Sequence, residues 1–274
     1  MNTLDLPELP LIIETADLAS LIPNDKLLII AVCQRRVFET LHIPNSVLIE
    51  PAKLVSGKHP AVGKLPKPEQ LKRVFSSVGL RKDSHVIAYD DEGGGWAGRL
   101  IWTLDVLGHP NYSYLNGGLA AWAGEANLLE SGPVEPVGSD FEVTIDTHVI
   151  ADMQELLDGL SDPTNIVWDA RTAQEFTGSK QTALRNGHIP GAVNLDWLDT
   201  IDRHNHLRLL PLPELEEKLA QLGITKSKRV TTHCQTHHRS GLTYLIGKAL
   251  GLNIKAYDGS WSEWGNQPDT PVEN

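Results

Sequence analysis

The chain has 274 residues and a formal net charge of −11, from 24 Lys and Arg against 35 Asp and Glu. This acidic balance provides no basic footprint for nucleic acid or an anionic membrane, and no apolar run approaches the ~18 residues of a transmembrane helix. The length fits two ordinary domains. With an N-terminus unlike a signal peptide and two cysteines, Cys33 and Cys234, too few for a disulfide framework, we expect a soluble cytoplasmic protein.

The first half of the chain alternates apolar runs with glycine- and proline-rich turns. A segment at 51–68, PAKLVSGKHPAVGKLPKP, holds four prolines and two glycines. This composition predicts a long surface loop. Beyond it, 87–108 predicts a strand, a glycine-rich turn and a helix.

A linker is expected in the middle of the chain. The stretch 124–140, GEANLLESGPVEPVGSD, is rich in glycine, proline, serine and acidic residues and lacks helical periodicity. We therefore predict a first domain at 1–124, a linker at 125–143 and a second domain at 144–274.

The second half predicts strands alternating with helices. The strands are expected at 165–170, 229–233 and 254–259, and the helices at 214–223 and 240–251. Such alternation indicates a small doubly wound α/β domain, a parallel sheet with helices on both faces. Ligands of such sheets bind at the carboxyl ends of the strands.

The two halves are related by an internal repeat. A gap-free alignment has a register of 143, since 241 − 98 = 143 for Gly98 and Gly241, and it places Asp91 opposite Cys234. The duplication predicts two similar α/β domains. Three pairs of blocks recur in the same order: 41–50 with 187–196, 87–108 with 230–251, and 114–122 with 257–264.

The loop THCQTHHRSG at 232–241 lies between a predicted strand and a predicted helix. Backbone N–H groups and the helix dipole at such a place favour the thiolate of Cys234 over its thiol. Further positive charge is expected from Arg239 and from the partly protonated imidazoles of His233, His237 and His238. Cys234 is thus the candidate nucleophile, the alternative being an inert buried cysteine. Cys33 lacks this setting and is interpreted as a small core hydrophobe.

On these residues the chain resembles a tandem-domain rhodanese, a thiosulfate:cyanide sulfurtransferase, over about residues 10–272. The loop CQTHHR is similar to that of certain bacterial rhodaneses and departs from the mammalian and mercaptopyruvate sulfurtransferase patterns. The other motifs that carry the resemblance are Asp169-Ala170-Arg171, His188-Ile189-Pro190-Gly191-Ala192 and Trp261-Ser262-Glu263-Trp264.

The resemblance implies a catalytic Cys234 that carries sulfur as a persulfide, without a metal or organic cofactor. It implies a small anionic sulfur donor and a thiophilic acceptor, which could be another protein. Arg239 is expected to bind the anion, or to hold the loop from inside. Trp197 and Trp261 either wall the pocket or pack in the core. The further expected substrate-binding residues are Gln235, Thr236, His237 and His238.

The same resemblance implies that the first domain is inactive. A carboxylate such as that of Asp91 cannot carry a sulfane sulfur. Ala31 and Cys33 also stand where the second half has Asp169 and Arg171. The first domain is therefore expected to be a structural partner that closes over the second domain's site.

Three other functions fit the sequence less well. The run 93–98 fits the dinucleotide fingerprint G-x-G-x-x-G, but three acidic residues precede it where a pyrophosphate would lie. A metal site at 233–238 lacks a second ligand pair at zinc spacing. A cysteine-dependent phosphatase would need five residues between Cys234 and Arg239, where this chain has four. A 3-mercaptopyruvate sulfurtransferase and a persulfide carrier remain open.

Overall fold

The computed structural model describes residues 8–274. The first sheet is parallel throughout, in the order β1-β5-β4-β2-β3. Its strands are β1 (Ile12–Ile13), β2 (Leu27–Ala31), β3 (Ser46–Leu48), β4 (His85–Tyr89) and β5 (Tyr112–Leu115). The helices of this half are α1 (Thr15–Leu21), α2 (Arg35–Thr40), α3 (Pro68–Ser77), α4 (Gly95–Val106) and α5 (Gly118–Gly124).

The second sheet repeats this arrangement in the order β6-β12-β11-β7-β8, again all parallel. A small antiparallel pair, β9 with β10, is added beside it. The strands are β6 (Ile150–Ala151), β7 (Asn165–Asp169), β8 (Val193–Asn194), β9 (Ile201–Asp202), β10 (Arg208–Leu209), β11 (Arg229–His233) and β12 (Asn253–Tyr257). The helices are α6 (Met153–Gly159), α7 (Ala173–Phe176), α8 (Leu212–Gln221), α9 (Arg239–Ala249) and α10 (Ser260–Trp264).

The prediction of two similar α/β domains is confirmed. Alternate residues of the central strands enter different cores, because side chains of a strand point to opposite faces. In β2, Ile30 joins the core under α3 and α4, whereas Ile29 joins the core under α1, α2 and α5. With both faces covered, the central strands of the first sheet, β2 (LLIIA) and β4 (HVIAY), are mostly apolar, whereas β11 (RVTTH) of the second sheet carries several polar residues. Between α5 and β6 the chain takes an irregular course from 125 to 149, with a bridge from Glu130 to His42.

The two halves meet along α4 and α9. At their crossing a Cβ on Gly98 would lie 2.3 Å from the Gly241 carbonyl oxygen, and one on Gly241 would lie 2.4 Å from the backbone nitrogen of Arg99. The absence of side chains at these two glycines therefore lets the helix backbones touch. A single buried core runs across the interface, containing Trp102 of α4 and Leu242 of α9.

Residues 54–65, which we name the interdomain loop, lie differently from the prediction. Leu54 is fully buried, and Gly63 packs directly against the carbonyl group of Thr236. The Leu65 N–H donates to Asp258 Oδ2 at 2.7 Å. The prediction of a surface loop holds for 57–60, which are exposed, but is wrong for Leu54, which is buried, and for 63–65, which contact the second domain.

The strand ends give the structural correspondence between the halves. The Tyr89 carbonyl accepts from Val32 N–H at 2.8 Å, and the His233 carbonyl accepts from Ala170 N–H at 2.9 Å. Asp90, which follows Tyr89, therefore corresponds to Cys234, with a register of 234 − 90 = 144. The prediction that Asp91 lies opposite Cys234 is wrong by one residue, because the first domain's loop is one residue longer before the helices come into register.

The Asp90 carboxylate fills the centre of its own loop. Its Oδ1 accepts backbone N–H groups from Glu92 and Gly93 at 3.1 Å and from Gly94 at 2.8 Å. Its Oδ2 accepts from Trp96 and Ala97, each at 2.9 Å. These amides, which a dinucleotide phosphate would require, already bind an internal anion.

We expect Asp90→Ala to destabilise the protein strongly and Asp91→Ala to be nearly neutral. The first change leaves five N–H groups without their acceptor, three of them in buried hydrogen bonds, at a cost of at least about 3 kcal/mol. Asp91 is exposed, so its loss is expected to stay within about 0.5 kcal/mol. Urea unfolding midpoints of the two variants measure this difference, and equal midpoints would refute the corrected register.

Among the described residues, no helix combines the length and the apolar character needed to cross a membrane.

Candidate active site

Cys234 follows β11 directly, at the carboxyl end of the middle strand of the second sheet, and α9 begins five residues later at Arg239. Its side chain is fully buried. The Cys234 carbonyl accepts from Trp261 N–H at 2.9 Å, and its own N–H donates to Ser260 Oγ at 3.4 Å. The first turn of α10 thus fixes the backbone from which the sulfur projects.

The surroundings of the sulfur favour the thiolate. Burial by itself raises the pKa of Cys234, but the charge of Arg239, two hydrogen bonds from Ser240 (hydroxyl and backbone N–H) and the charge of His238 together outweigh it. The pKa falls from 9.0 to about 7. Cys33 has the opposite environment, because burial and the nearby carboxylates of Asp91 and Asp90 raise its pKa to about 12. The thiol chemistry is therefore concentrated at Cys234.

His237 lies in the interior and not at the site entrance. Its ring is fully buried, with Nδ1 2.7 Å from Ser240 Oγ and with the edge of the Trp102 ring at a centroid distance of 4.5 Å. Burial, followed by the charges of Arg99 and the neighbouring histidines, holds the pKa of His237 well below 6.5. A neutral imidazole that donates from Nδ1 to Ser240 Oγ leaves the Ser240 hydroxyl proton free to point at the sulfur.

The expectation that His233 and His237 add positive charge is wrong. His233 is also fully buried, and burial lowers its pKa more than the neighbouring Asp169 raises it. Its Nδ1 lies 3.1 Å from the Cys234 carbonyl oxygen, and its Nε2 lies 3.6 Å from Asp169 Oδ2. Both histidines are neutral parts of the loop framework at neutral pH.

Arg239 is held by a carboxylate that sequence analysis did not single out. Its Nη1 and Nη2 donate to the two carboxylate oxygens of Glu175 at 2.7 and 2.9 Å. The Glu175 side chain is 4% exposed, and that of Arg239 is 17% exposed. Burial raises the pKa of Glu175, but Arg239 and Thr172 lower it by more, so that it falls from 4.5 to about 2. The charges of Arg239 and of the Cys234 sulfur also act on each other, so a guanidinium that Glu175 holds in place favours the Cys234 thiolate.

His238 turns toward the first domain. Its Nε2 contacts the Glu92 carboxylate, and its ring stacks on Trp96 at a centroid distance of 4.5 Å. The ring of Trp197, from the second domain, lies 5.8 Å away. The corresponding segment of the first domain thus supplies part of the wall beside the Cys234 loop.

The remaining loop residues bind protein groups in this structure. Gln235 Nε2 donates to the Thr182 carbonyl at 2.9 Å, and the Thr236 carbonyl faces Gly63. Their role in binding substrate stays a prediction.

Trp261 belongs to the core and not to the pocket wall. It is fully buried, and the Arg171 guanidinium carbon lies 4.3 Å from the centroid of the Trp261 ring. Arg171 also donates from Nη2 to the Gly187 carbonyl at 2.8 Å and forms a fully buried ion pair with Asp169. The motifs that contain Asp169 and Trp261 therefore support the end of β11, where Asp169 pairs with His233 and Trp261 contacts Cys234.

Sequence reasoning missed two groups of functional residues. Ser240 had a signal, because it follows Arg239 at the predicted helix start. For Glu175 the pattern Thr172-x-x-Glu175 indicates a capping box and hence a helix start, which the structure has in α7, but not a partner for Arg239. The contributions of Glu92 and Trp96 had no signal, since they depend on how the domains meet.

We expect alkylation of the protein near neutral pH to occur at Cys234 alone. The rate at Cys234 should rise with pH about a midpoint near 7, where its thiol ionises. Cys33 should remain unmodified up to pH 9, because its pKa is raised to about 12. Iodoacetamide labelling over this range, followed by peptide mass mapping, measures both. Labelling of Cys33 at a comparable rate would contradict the assignment.

Comparison with known proteins agrees with this geometry. The rhodanese-like domain family matches residues 14–125 and again 152–267. A thiosulfate sulfurtransferase of Pseudomonas aeruginosa is 45% identical over 97% of this chain and 98% of its own. One of Azotobacter vinelandii is 44% identical over 98% of this chain and 99% of its own. A 3-mercaptopyruvate sulfurtransferase of Escherichia coli is 32% identical over 85% of this chain and 83% of its own.

Among solved structures, an anaerobic ergothioneine biosynthesis enzyme from Chlorobium limicola superposes with a TM-score of 0.84 at 20% identity. The match covers 96% of this chain and 70% of that one, and it shows a shared fold. The rhodanese-like family model matches both halves of the chain, and relatives that are 44–45% identical span nearly its whole length. The chain therefore belongs to the rhodanese family.

Proposed function

We propose that this protein is a thiosulfate sulfurtransferase that moves a sulfane sulfur from thiosulfate to cyanide or a thiol through a persulfide on Cys234. The observation that carries the proposal is the fully buried Cys234 at the carboxyl end of β11, in a loop whose Arg239 is held by both carboxylate oxygens of Glu175. This environment lowers the Cys234 pKa to about 7. The full-length relatives named thiosulfate sulfurtransferase support the same reaction.

The first half-reaction is a nucleophilic displacement at sulfur. Arg239, the loop cation with exposed surface, attracts the thiosulfate dianion toward Cys234. The thiolate attacks the outer sulfur of thiosulfate, a Cys234 S–S bond forms, and the bond to the central sulfur breaks. Sulfite leaves with that electron pair. Ser240 and Arg239 then hydrogen-bond to sulfur that remains anionic in the persulfide.

The second half-reaction returns the enzyme to its resting state. Cyanide attacks the outer sulfur of the persulfide, and thiocyanate leaves as the S–S bond breaks. The electron pair of that bond goes back to Cys234 as a thiolate. Since thiolate and persulfide are both anions in one buried place, the same donors serve both halves of the cycle.

The remaining residues follow from this reaction. We assign catalysis to 144–274, with 1–124 as the partner that lacks a nucleophile and 125–143 as the linker. We assign substrate contacts to His238, Gln235 and Thr236, which are half-buried, and an indirect role to His237, which orients Ser240. We place the reaction in the cytoplasm, where reducing conditions keep the Cys234 thiol available.

A second donor is supported by the relative named 3-mercaptopyruvate sulfurtransferase, and a carrier role by a sulfur carrier protein of Thermus thermophilus, 29% identical over 86% of this chain. Both would use the same Cys234 persulfide. The donor and the acceptor are therefore what the decisive experiment must compare.

The test measures each half-reaction separately. Protein incubated with thiosulfate should gain the mass of one sulfur atom, and cyanide should remove it with one equivalent of thiocyanate formed. The same experiment with 3-mercaptopyruvate ranks the donors. A protein that hydrolyses an aryl phosphate faster than it forms thiocyanate, or that takes no sulfur from thiosulfate, would overturn the proposal.

A further inference from the structure

Arg99 is a charged side chain that the mechanism above does not use. It lies on α4 of the first domain and is fully buried. Its guanidinium is 4.6 Å from the centroid of the Trp102 ring. Burial lowers its pKa from 12.5 to about 10, so it remains a cation at neutral pH. A buried charge of this kind needs compensation.

The hydrogen bonds of Arg99 join both domains. Nη2 donates to the Leu54 carbonyl at 2.8 Å, and Nη1 donates to the Gly63 carbonyl at 2.9 Å, both in the interdomain loop. Nη1 also reaches the His237 carbonyl of the active loop at 3.4 Å. His237 has φ +53°, a left-handed conformation that side chains disfavour. Arg99 therefore helps to hold the strained turn of the active loop.

The charge of Arg99 has no ion-pair partner at contact distance among the described residues. The negative charges that act on it through the interior are the Asp258 carboxylate and the Cys234 thiolate. The Asp258 carboxylate is itself engaged by the Leu65 N–H at 2.7 Å. The reacting sulfur is thus one of two anions that compensate this buried cation.

We propose that Arg99 is a positioning residue, supplied by the inactive domain, whose buried cation stabilises the anionic sulfur of Cys234 and fixes the loop that carries it. The inference rests on the sulfurtransferase function proposed above and extends it, because it makes the first domain part of the active site. It explains why the interdomain loop is threaded between Arg99 and the second domain.

Other charges act on the sulfur and must be separated from that of Arg99. On its own loop and helix these are His238 and the Arg239 cation, beside the neutral His233 and His237. The turn before α10 adds Asp258, α7 adds Glu175, which pairs with Arg239, and the first domain adds Glu92, which contacts His238. A test must therefore change the charge at Arg99 and leave these groups in place.

The test is the pH dependence of Cys234 alkylation in Arg99→Gln and Arg99→Lys. We expect Arg99→Gln to raise the Cys234 pKa by at least about 0.5 units, which lowers the thiolate fraction at pH 7 about twofold. Arg99→Lys retains the charge and should stay within about 0.3 units of wild type. Arg99→Met, which fills the same space beside Trp102, replaces the Gln variant if that variant does not fold.

Arg208→Gln is the matched control. Arg208 also joins the two domains, since its Nε donates to Glu14 at 3.0 Å and its Nη2 pairs with Glu125. Its removal weakens the interface without touching the active loop, so the Cys234 pKa should not change.

The outcomes separate the two proposals. A raised Cys234 pKa in Arg99→Gln or Arg99→Met, with no change in Arg208→Gln, supports the inference. An unchanged pKa in the neutral variants, an equal rise in Arg208→Gln, or a rise in Arg99→Lys as large as that in Arg99→Gln would overturn it. Alkylation needs no thiosulfate, so these results stand even if the donor proposed above is wrong.

Discussion

Cys234→Ala is expected to abolish persulfide formation and thiocyanate production, whereas Cys33→Ala should leave both close to wild type. Each variant removes the same sulfur atom from a buried cysteine. Only the sulfur of Cys234 has its thiolate stabilised, with a pKa of about 7 against about 12 for Cys33. A thiolate is required for attack on the outer sulfur of thiosulfate.

The measurement is intact mass after thiosulfate, together with steady-state thiocyanate production. The fold should survive both changes, since each removes one atom from a well-packed interior, at a cost of roughly 1–2 kcal/mol. A sulfur atom bound by the Cys234→Ala protein would show that another group accepts it. Equal losses of activity in the two variants would contradict the assignment of sulfur transfer to Cys234 of the second domain.

The position of Cys234 could be predicted from the sequence because it depends on local order. A strand, a Cys-containing loop and a helix follow one another at 229–251, and parallel sheets place such loops at the carboxyl edge. The strand predicted at 229–233 is β11 without any shift. The helix predicted at 240–251 is α9, which begins one residue earlier and ends two residues earlier than predicted. Local pattern and sheet geometry were sufficient there.

The correspondence of Asp90 with Cys234 could not be obtained from a gap-free alignment. The helix glycines Gly98 and Gly241 keep a register of 143, whereas the strand ends keep one of 144. A one-residue difference inside a loop leaves no trace in either flanking block. The structure reveals this difference, because the Asp90 carboxylate accepts hydrogen bonds from the backbone N–H groups of its loop.

The charge states of the histidines also could not be predicted from the sequence. The spacing of His237 and His238 gives no sign that one ring enters the interior and the other meets Glu92. Burial decides the protonation of His237, and burial follows from the packing of two domains. The role of Arg99 is hidden for the same reason, because its partners lie 36 and 138 residues away along the chain.

Arg239→Gln is expected to lower both the stability of the protein and its activity. The additional change Glu175→Gln should restore the stability but not the activity. In the single variant the buried Glu175 carboxylate loses its bidentate partner, at a cost of about 3–5 kcal/mol. Persulfide formation falls as well, because the cation that attracts thiosulfate and lowers the Cys234 pKa is gone. The double variant has neither charge buried alone, yet it still lacks that cation.

The pH dependence of stability gives an independent check on the pair. The pKa of Glu175 is about 2 in the folded protein and 4.5 ordinarily. A depressed carboxylate pKa contributes stability that is fully present above pH 4.5 and is lost as pH falls toward 2. Going from pH 7 to pH 3, the wild type should lose about 2 kcal/mol through this group, and the double variant should not.

Urea unfolding at the two pH values and stopped-flow persulfide formation at neutral pH measure these effects on the same set of proteins. If Arg239 served only to hold the loop, the double variant would recover persulfide formation together with stability, because the two introduced glutamine side chains can hydrogen-bond to each other without charge. A double variant that is as stable as the wild type but slow at high and low thiosulfate alike would instead locate the role of Arg239 in the thiolate. One that is slow at low thiosulfate and normal at saturation would locate it in binding the anion. The two roles of Arg239 are thus distinguished by the concentration dependence of one half-reaction.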